Sequence, residues 1–332
     1  SKPLDAGQSL RLSVTRENQI RTIQFELTGS LSPFKPVEIG VTVRLTSQGV
    51  EIKEVRNEGP ADQAGILPGQ IINAVHSAPI KSSMELRLAI AATPLGQTLD
   101  VQIVDQEGQI LKNSIEVIPK VASIAGYPDS GQDFKSVVKS EVRLPDYSNQ
   151  GFVIFPSNQQ AMGLLVWLAA PGPLDLEKLT SRWTPICKKY PLAILVLEST
   201  DPKSWQSVDS EVIRAMVENL ASMSSISPDR ILIGGYGTGG TMASRVAFSN
   251  KSVFRGLILD DAMFSNQIEP GSPDPLSPMP ILILGSSGPT SRFQKNLESN
   301  QFIVLNKSSI ELVTRKAKDD FIAKWSTLVD RL

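Results

Sequence analysis

The sequence predicts a multidomain chain: a small mixed α/β unit, mainly of antiparallel strands, then a larger doubly wound α/β unit on a mostly parallel sheet. Three observations predict it. Segments of period-two alternation run through the chain as far as Ile118, the mark of strands with one buried face. Beyond them come nearly continuous apolar runs, as in parallel strands buried on both faces. These are GLLVWL from Gly163, LAILVL from Leu192, RILIGG from Arg230, GLILD from Gly256, ILILG from Ile281 and FIVLN from Phe302. Helical patterns separate many of the runs, and alternating strand and helix gives a parallel sheet covered on both sides.

The 332 residues are enough for two or three domains, and 41% hydrophobic with 20% charged residues is an ordinary globular composition. With 33 basic and 34 acidic residues the net charge is −1, and no long single-sign block occurs. That argues against a nucleic-acid or anionic-membrane partner. No apolar run approaches the roughly 18 residues of a membrane span. A single cysteine, Cys187, excludes an internal disulfide, and with a single histidine, His76, it speaks against a Cys/His metal site. No metal or other cofactor is expected. Cys187 shares an apolar helix side with Leu176, Leu179 and Trp183 and reads as a buried structural thiol. The first residues lack a basic stretch followed by an apolar core, so they do not read as a signal peptide.

An internal repeat orders the N-terminal part. GQSLRLSVTREN from Gly7 matches GQTLDVQIVDQEG from Gly96, 89 residues later, and each continues into a second strand, IRTIQFEL or NSIEVI. The second copy closes a complete unit; the first supplies only a final strand pair. Residues 1–33 are therefore expected to end an earlier copy of the same domain, and residues 36–118 to form a whole one. In that unit EIGVTVRL from Glu38 and GVEIKEV from Gly49 alternate. GPADQAGILPGQIINAV from Gly59 reads as a turn, a short helix and a strand. SSMELRLAIAA reads as a helix capped by Ser82 or Ser83.

These residues resemble a PDZ domain, most closely those of the HtrA/Deg family of serine proteases. The resemblance rests on Ile39-Gly40-Val41, on the GPADQAGILPGQII segment and on the helix Met84 to Ala92. It implies that an extended peptide adds a strand to the sheet edge while backbone N–H groups hold its terminal carboxylate. The implied carboxylate loop is Glu38-Ile39-Gly40-Val41. Val41 and Val43 would line the peptide strand, and Leu86 and Ile90 its side-chain pocket. Glu38 departs from this logic, because it sets a negative charge beside a loop meant for an anion. The plainer alternative is a domain that only packs against its neighbours. His76 lies in a turn and reads as a surface residue.

Residues 119–133, PKVASIAGYPDSGQD, read as a linker. Residues 134–332 open with a strand pair, VVKSEVRLPDYSNQGFVIFP, and then alternate strand and helix. Val212, Ile213, Met216, Val217 and Leu220 share one helix face, as do Phe321, Ile322, Trp325, Leu328 and Leu332. LPDYSNQGFVIFPSN, GLLVWLAAPG, SPDRILIGGYGTGG and PMPILILGSSGP fall in the order of an opening hairpin, an oxyanion strand, a nucleophile elbow and the strand before the acid. This order resembles the carboxylesterase and feruloyl-esterase-like branch of the α/β hydrolases.

The catalytic positions do not carry the chemistry that the resemblance implies. Acyl transfer needs a nucleophile, a base and an orienting acid. In G-x-S-x-G, Gly235 and Gly239 are the flanking glycines and the serine position is Gly237. The adjacent Thr238 is placed to offer its backbone N–H. The acid falls at Gly288. The base region, Asn306 to Ser309, has no histidine, and the oxyanion loop reads Ala169-Ala170. The expectation is a hydrolase fold without its triad. The rival within this class is a cryptic esterase or peptidase with a non-standard nucleophile, Lys307 with Ser308 for example.

The same turn also spells G-x-G-x-x-G with Gly235, Gly237 and Gly240, and Asp260 ends the next strand where a ribose-binding acid is expected. Nucleotide binding is thus a second alternative, with Gly235, Gly237, Thr238 and Gly240 as an anion site. Against it, two strand–helix units precede the fingerprint, which normally opens its sheet. Taken together, the resemblances imply the peptide-binding regulatory region of an HtrA/Deg-type protease concerned with protein quality control. They imply peptide C-termini or unfolded segments as partners, a protease domain upstream, a homo-oligomer and a periplasmic or otherwise extracytoplasmic location.

Overall fold

The computed structural model describes residues 9–16, 19–26, 36–47, 49–121, 123, 134, 136–157, 162–223, 225–262, 270–271, 273–274, 278–285, 288–307 and 314–329. The chain divides into two compact units, Ser1–Phe34 and Lys35–Leu332. In the first, β1 (Ser9–Arg16) and β2 (Gln19–Glu26) pair antiparallel from Ser9↔Glu26 to Arg16↔Gln19. The ladder runs without a break along SLRLSVTR and QIRTIQFE.

The second unit opens with short β3 (Val37–Glu38), β4 (Val41–Thr46), β5 (Gly49–Val55), helix α1 (Pro60–Gln63), β6 (Ile71–Val75) and β7 (Ala78–Pro79). Helix α2 (Ser83–Ala92), β8 (Thr98–Val104), β9 (Ile110–Glu116) and β10 (Ile118–Pro119) follow. The main sheet runs β4-β5-β6-β8-β9, with β7 against β6, and β10 pairs with β3. The expected single strand from Glu38 is therefore two, broken at Ile39–Gly40, where Gly40 takes φ +76°. The expected linker also starts late: Pro119 pairs with Val37, and the Lys120 amide donates to the Pro36 carbonyl at 2.9 Å. Residues 124–133 lie outside the described residues. Inside, Ile39, Val50, Ile52, Ile72, Leu99 and Ile103 are buried against Leu86 of α2. Alternation explains the selection: in β8, Leu99, Val101 and Ile103 face the core while Thr98 and Asp100 face solvent. His76 takes φ +45° in the turn between β6 and β7 and is half-exposed, as its place in the sequence suggested.

The larger sheet comprises β11 (Val137–Arg143), β12 (Gln150–Pro156), β13 (Met162–Leu168), β14 (Leu192–Leu197), β15 (Ile226–Tyr236), β16 (Gly256–Asp260), β17 (Ile281–Leu284) and β18 (Val304–Lys307). Its helices are α3 (Leu176–Lys189), α4 (Asp209–Met223), α5 (Thr238–Ser249), α6 (Gly288–Ser299) and α7 (Arg315–Thr327). The order is β11-β12-β14-β13-β15-β16-β17-β18. β12 runs antiparallel to both of its neighbours, and the pairs from β14 to β18 are parallel. The antiparallel opening pair and the exchanged places of β13 and β14 agree with the order that the hydrolase-like resemblance of the sequence implies.

Helices cover both faces because the strands are apolar on both. From β13, Leu164, Val166 and Leu168 pack with α4, α5 and α6, while Leu165 and Trp167 pack with α3 and α7. Asp175 caps α3 by accepting from the Lys178 amide at 3.0 Å. Trp183 and Cys187 are fully buried, whereas Leu176, expected on the same side, sits exposed at the helix start. The Cys187 thiol donates to the Ile154 carbonyl at 3.4 Å, and burial pushes its pKa far up, so it is a packed, unreactive group. Leu332 lies outside the described residues. No helix among the described residues is long and apolar enough to cross a membrane.

Candidate functional site

Two places gather the residues singled out by the sequence. The first is the groove between β4 and α2, about 420 Å³ in volume. β4 is an edge strand: β5 pairs with one side of it, and the other side faces the helix across the groove. An edge strand presents a row of backbone donors and acceptors to an incoming chain. Ser82 starts α2 by accepting from the Glu85 amide at 3.1 Å, and the Glu85 carboxylate accepts in turn from the Lys81 amide at 2.7 Å. Leu86 and Ile90, four apart, then share the groove side. Their depths differ. Leu86 is 2% exposed and belongs to the core, while Ile90 is half-buried and forms the wall. Val41 and Val43, half-buried, line the opposite side.

The loop Glu38–Val41 closes one end. The Ile39 carbonyl accepts from the Ala61 amide at 3.0 Å and the Gly40 carbonyl from the Arg56 amide at 2.8 Å. Both carbonyls are thereby tied to the domain interior, and the positive φ of Gly40 makes the turn. Glu38 is not the open negative charge that the sequence suggested. Its side chain is buried and ion-paired with Arg56, and Lys120 adds a second positive field. Burial raises the Glu38 pKa above the ordinary value, and these two cations only partly oppose that rise.

The second place is the turn after β15. Tyr236 ends the strand, Gly237 adopts φ +55° and ψ −120°, and α5 begins at Thr238. Its neighbours are glycines by necessity. A Cβ on Gly239 would lie 2.1 Å from the Leu168 carbonyl oxygen, and one on Gly235 would lie 2.5 Å from the same atom. A Cβ on Gly240 would meet Ala262 at 2.7 Å. Gly237 differs: no atom lies within 4 Å of where its side chain would start, so only its backbone angle favours glycine. The Ala169 carbonyl, expected in an oxyanion loop, accepts from the Trp205 indole at 3.1 Å. Gly288 opens α6, and Asn306 and Lys307 end β18; Ser308 and Ser309 lie outside the described residues.

Asp260 reaches this turn through its backbone, accepting from the Gly237 amide at 2.9 Å. Its carboxylate is buried and points to Lys318 of α7, 2.7 Å away. Burial raises the Asp260 pKa, the hydrogen bond and charge of Lys318 oppose the rise, and Asp261 adds to it. The carboxylate proposed for a ribose is thus held by a protein cation. Lys318 and Asp261, which stand 3.9 Å apart, were missed in the sequence. Lys318 is 58 residues from Asp260, and only the strand order brings α7 over β16.

The model of the PDZ domain matches residues 37–117, and this segment is a PDZ domain. The probable periplasmic serine endoprotease DegP-like of Rickettsia conorii is 34% identical over 64 residues, 19% of this chain. The match spans 13% of that relative's length. Among solved structures, the esterase Est22 aligns with a TM-score of 0.44 and 11% identity, over 57% of this chain and 81% of that one. S-formylglutathione hydrolase from Staphylococcus aureus aligns with a TM-score of 0.43 and 12% identity, over 58% and 96% of the two chains. The HtrA-type protease AlgW with a decapeptide aligns with a TM-score of 0.25 and 21% identity, over 26% of this chain and 30% of that one. The chain thus joins a PDZ domain to a larger domain of α/β-hydrolase-like sheet order.

Proposed function

We propose that this chain is a peptide-binding region of an HtrA/Deg-type protein, in which the PDZ domain takes peptide C-termini or unfolded segments. One observation carries the reading: an unpaired strand edge, β4, faces Ile90 across a groove that ends in the glycine-containing loop Glu38–Val41. The burial of Glu38 against Arg56 supports it, because the acid that would repel a carboxylate is already paired. In this reading the α/β domain is a catalytically silent interaction module. Support comes from Gly237 at the nucleophile position and from the Lys318 partner of Asp260. A protease domain upstream, a role in protein quality control, homo-oligomerisation and an extracytoplasmic location belong to the same proposal.

The test is a titration of the whole chain with fluorescent peptides that have a free or an amidated C-terminus. Binding that needs the free carboxylate and is lost in Ile90→Asp supports the reading. Equal binding of both forms, or none, overturns it. A fluorophosphonate probe and short acyl esters test the α/β domain in parallel, and labelling or turnover would remove the silent assignment.

A further inference from the structure

The groove has a wall that does not come from the PDZ domain. Ser227, Asp229, Arg255, Pro278 and Val329, all from the α/β domain, also line it. A local irregularity puts two of them there. Along β13 the partners on β15 pass from Ile226, opposite Met162, to Ile231, opposite Leu164. The intervening SPDR stretch therefore bulges out of the ladder, and bulges re-aim side chains at the ends of sheets. Arg255 is fixed at the same end, since its amide donates to the Ile231 carbonyl at 2.7 Å.

The charges of the wall and groove are unequal. Arg44, Arg87, Lys120 and Arg255 line it against Glu38 and Asp229. Glu38 is paired with Arg56, Arg44 with Glu51 at 2.7 Å, and Asp229 lies 3.8 Å from Arg255. The lining itself thus carries four basic side chains and two acidic ones. The residues that line the groove come from β4, from α2, and from the SPDR bulge together with Arg255. We propose that the groove is a two-domain site, in which the α/β domain completes the PDZ groove and selects peptides with acidic residues upstream of their C-terminus. The inference rests on the peptide-binding reading above and adds a ligand chemistry and a second set of contacts.

The experiment uses the whole chain and short peptides that share one apolar C-terminal residue and carry upstream glutamates, serines or lysines. Fluorescence anisotropy gives the affinities. The acidic peptide should bind about twofold to fivefold more tightly than the serine peptide, the reach of a partly exposed ion pair, and the lysine peptide more weakly still. The preference should shrink at high salt. Arg87→Glu and Arg255→Glu should each reduce it, and together they should favour the lysine peptide. A photoreactive residue placed upstream in the acidic peptide should label the 227–229 bulge or the 255 region of the unmodified chain. That readout does not depend on the variants folding.

Equal affinities together with cross-links confined to residues 36–120 would overturn the two-domain groove and leave the PDZ reading standing. No binding by any peptide would overturn both.

Discussion

Glu38 and Arg56 form an ion pair at the loop that closes one end of the β4–α2 groove, with side chains only 8% and 10% exposed. Two charges withdrawn from water are each costly, and removing one strands the other. Glu38→Gln should destabilise the PDZ domain by about 3 kcal/mol, and Arg56→Met by a similar amount. The double variant Glu38→Leu/Arg56→Met should recover much of the loss. Urea midpoints of the four proteins check the pattern; equal additive losses would show that the pair is not coupled.

Leu86 and Ile90 occupy one helix face yet should answer differently to truncation. Leu86→Ala removes a core side chain and should cost about 2–5 kcal/mol of stability. Ile90→Ala removes a half-buried wall, so it should cost less stability and weaken peptide binding about tenfold. Melting curves and anisotropy titrations on both variants separate floor from wall.

At the glycine turn, space and backbone angle make distinct demands. Gly239→Ala would drive its Cβ into the Leu168 carbonyl, so the α/β domain should lose several kcal/mol or fail to fold. Gly237→Ser meets no atom and should cost only about 1–2 kcal/mol for its positive φ. With no histidine after β18 the new hydroxyl should remain inert to ester substrates and to a fluorophosphonate. Thermal melts and probe labelling read both outcomes.

Asp260 predicts a direction for pH dependence. Its folded pKa is raised, chiefly by burial, so between its ordinary value near 3.8 and the raised value the folded chain holds more proton than the unfolded one. The stability from this group is full below 3.8 and is lost as pH rises through the folded pKa. Relative to Asp260→Asn, the unaltered chain should therefore gain melting temperature as pH falls from 7 toward 4. A constant difference across that range would mean that the carboxylate titrates as it does in water.

Much of this architecture was legible because burial writes itself into composition. GLLVWL, LAILVL, GLILD and ILILG became β13, β14, β16 and β17 almost residue for residue. Other edges were not. β15 begins at Ile226, ahead of the expected Arg230, because its ladder continues past a Pro-containing bulge that reads locally as a turn. β18 begins at Val304, although Phe302 and Ile303 are buried all the same. β3 and β10, two residues each, are too short for any period to show. In the groove, Val41, Val43 and Ile90 were named through the family resemblance, and all three line it. Arg56 as the partner of Glu38, and Asp229 and Arg255 as a wall, were not, because no local pattern encodes contacts between segments so far apart in the chain.

The length of β15 has a further consequence. Ile231, which anchors Arg255 beside the groove, and Gly237 at the glycine turn are joined by six residues of extended strand, about 20 Å. The SPDR side of the groove and the glycine turn therefore stand toward the two ends of one strand. In mechanical terms the strand is a spacer that keeps the two places out of direct contact.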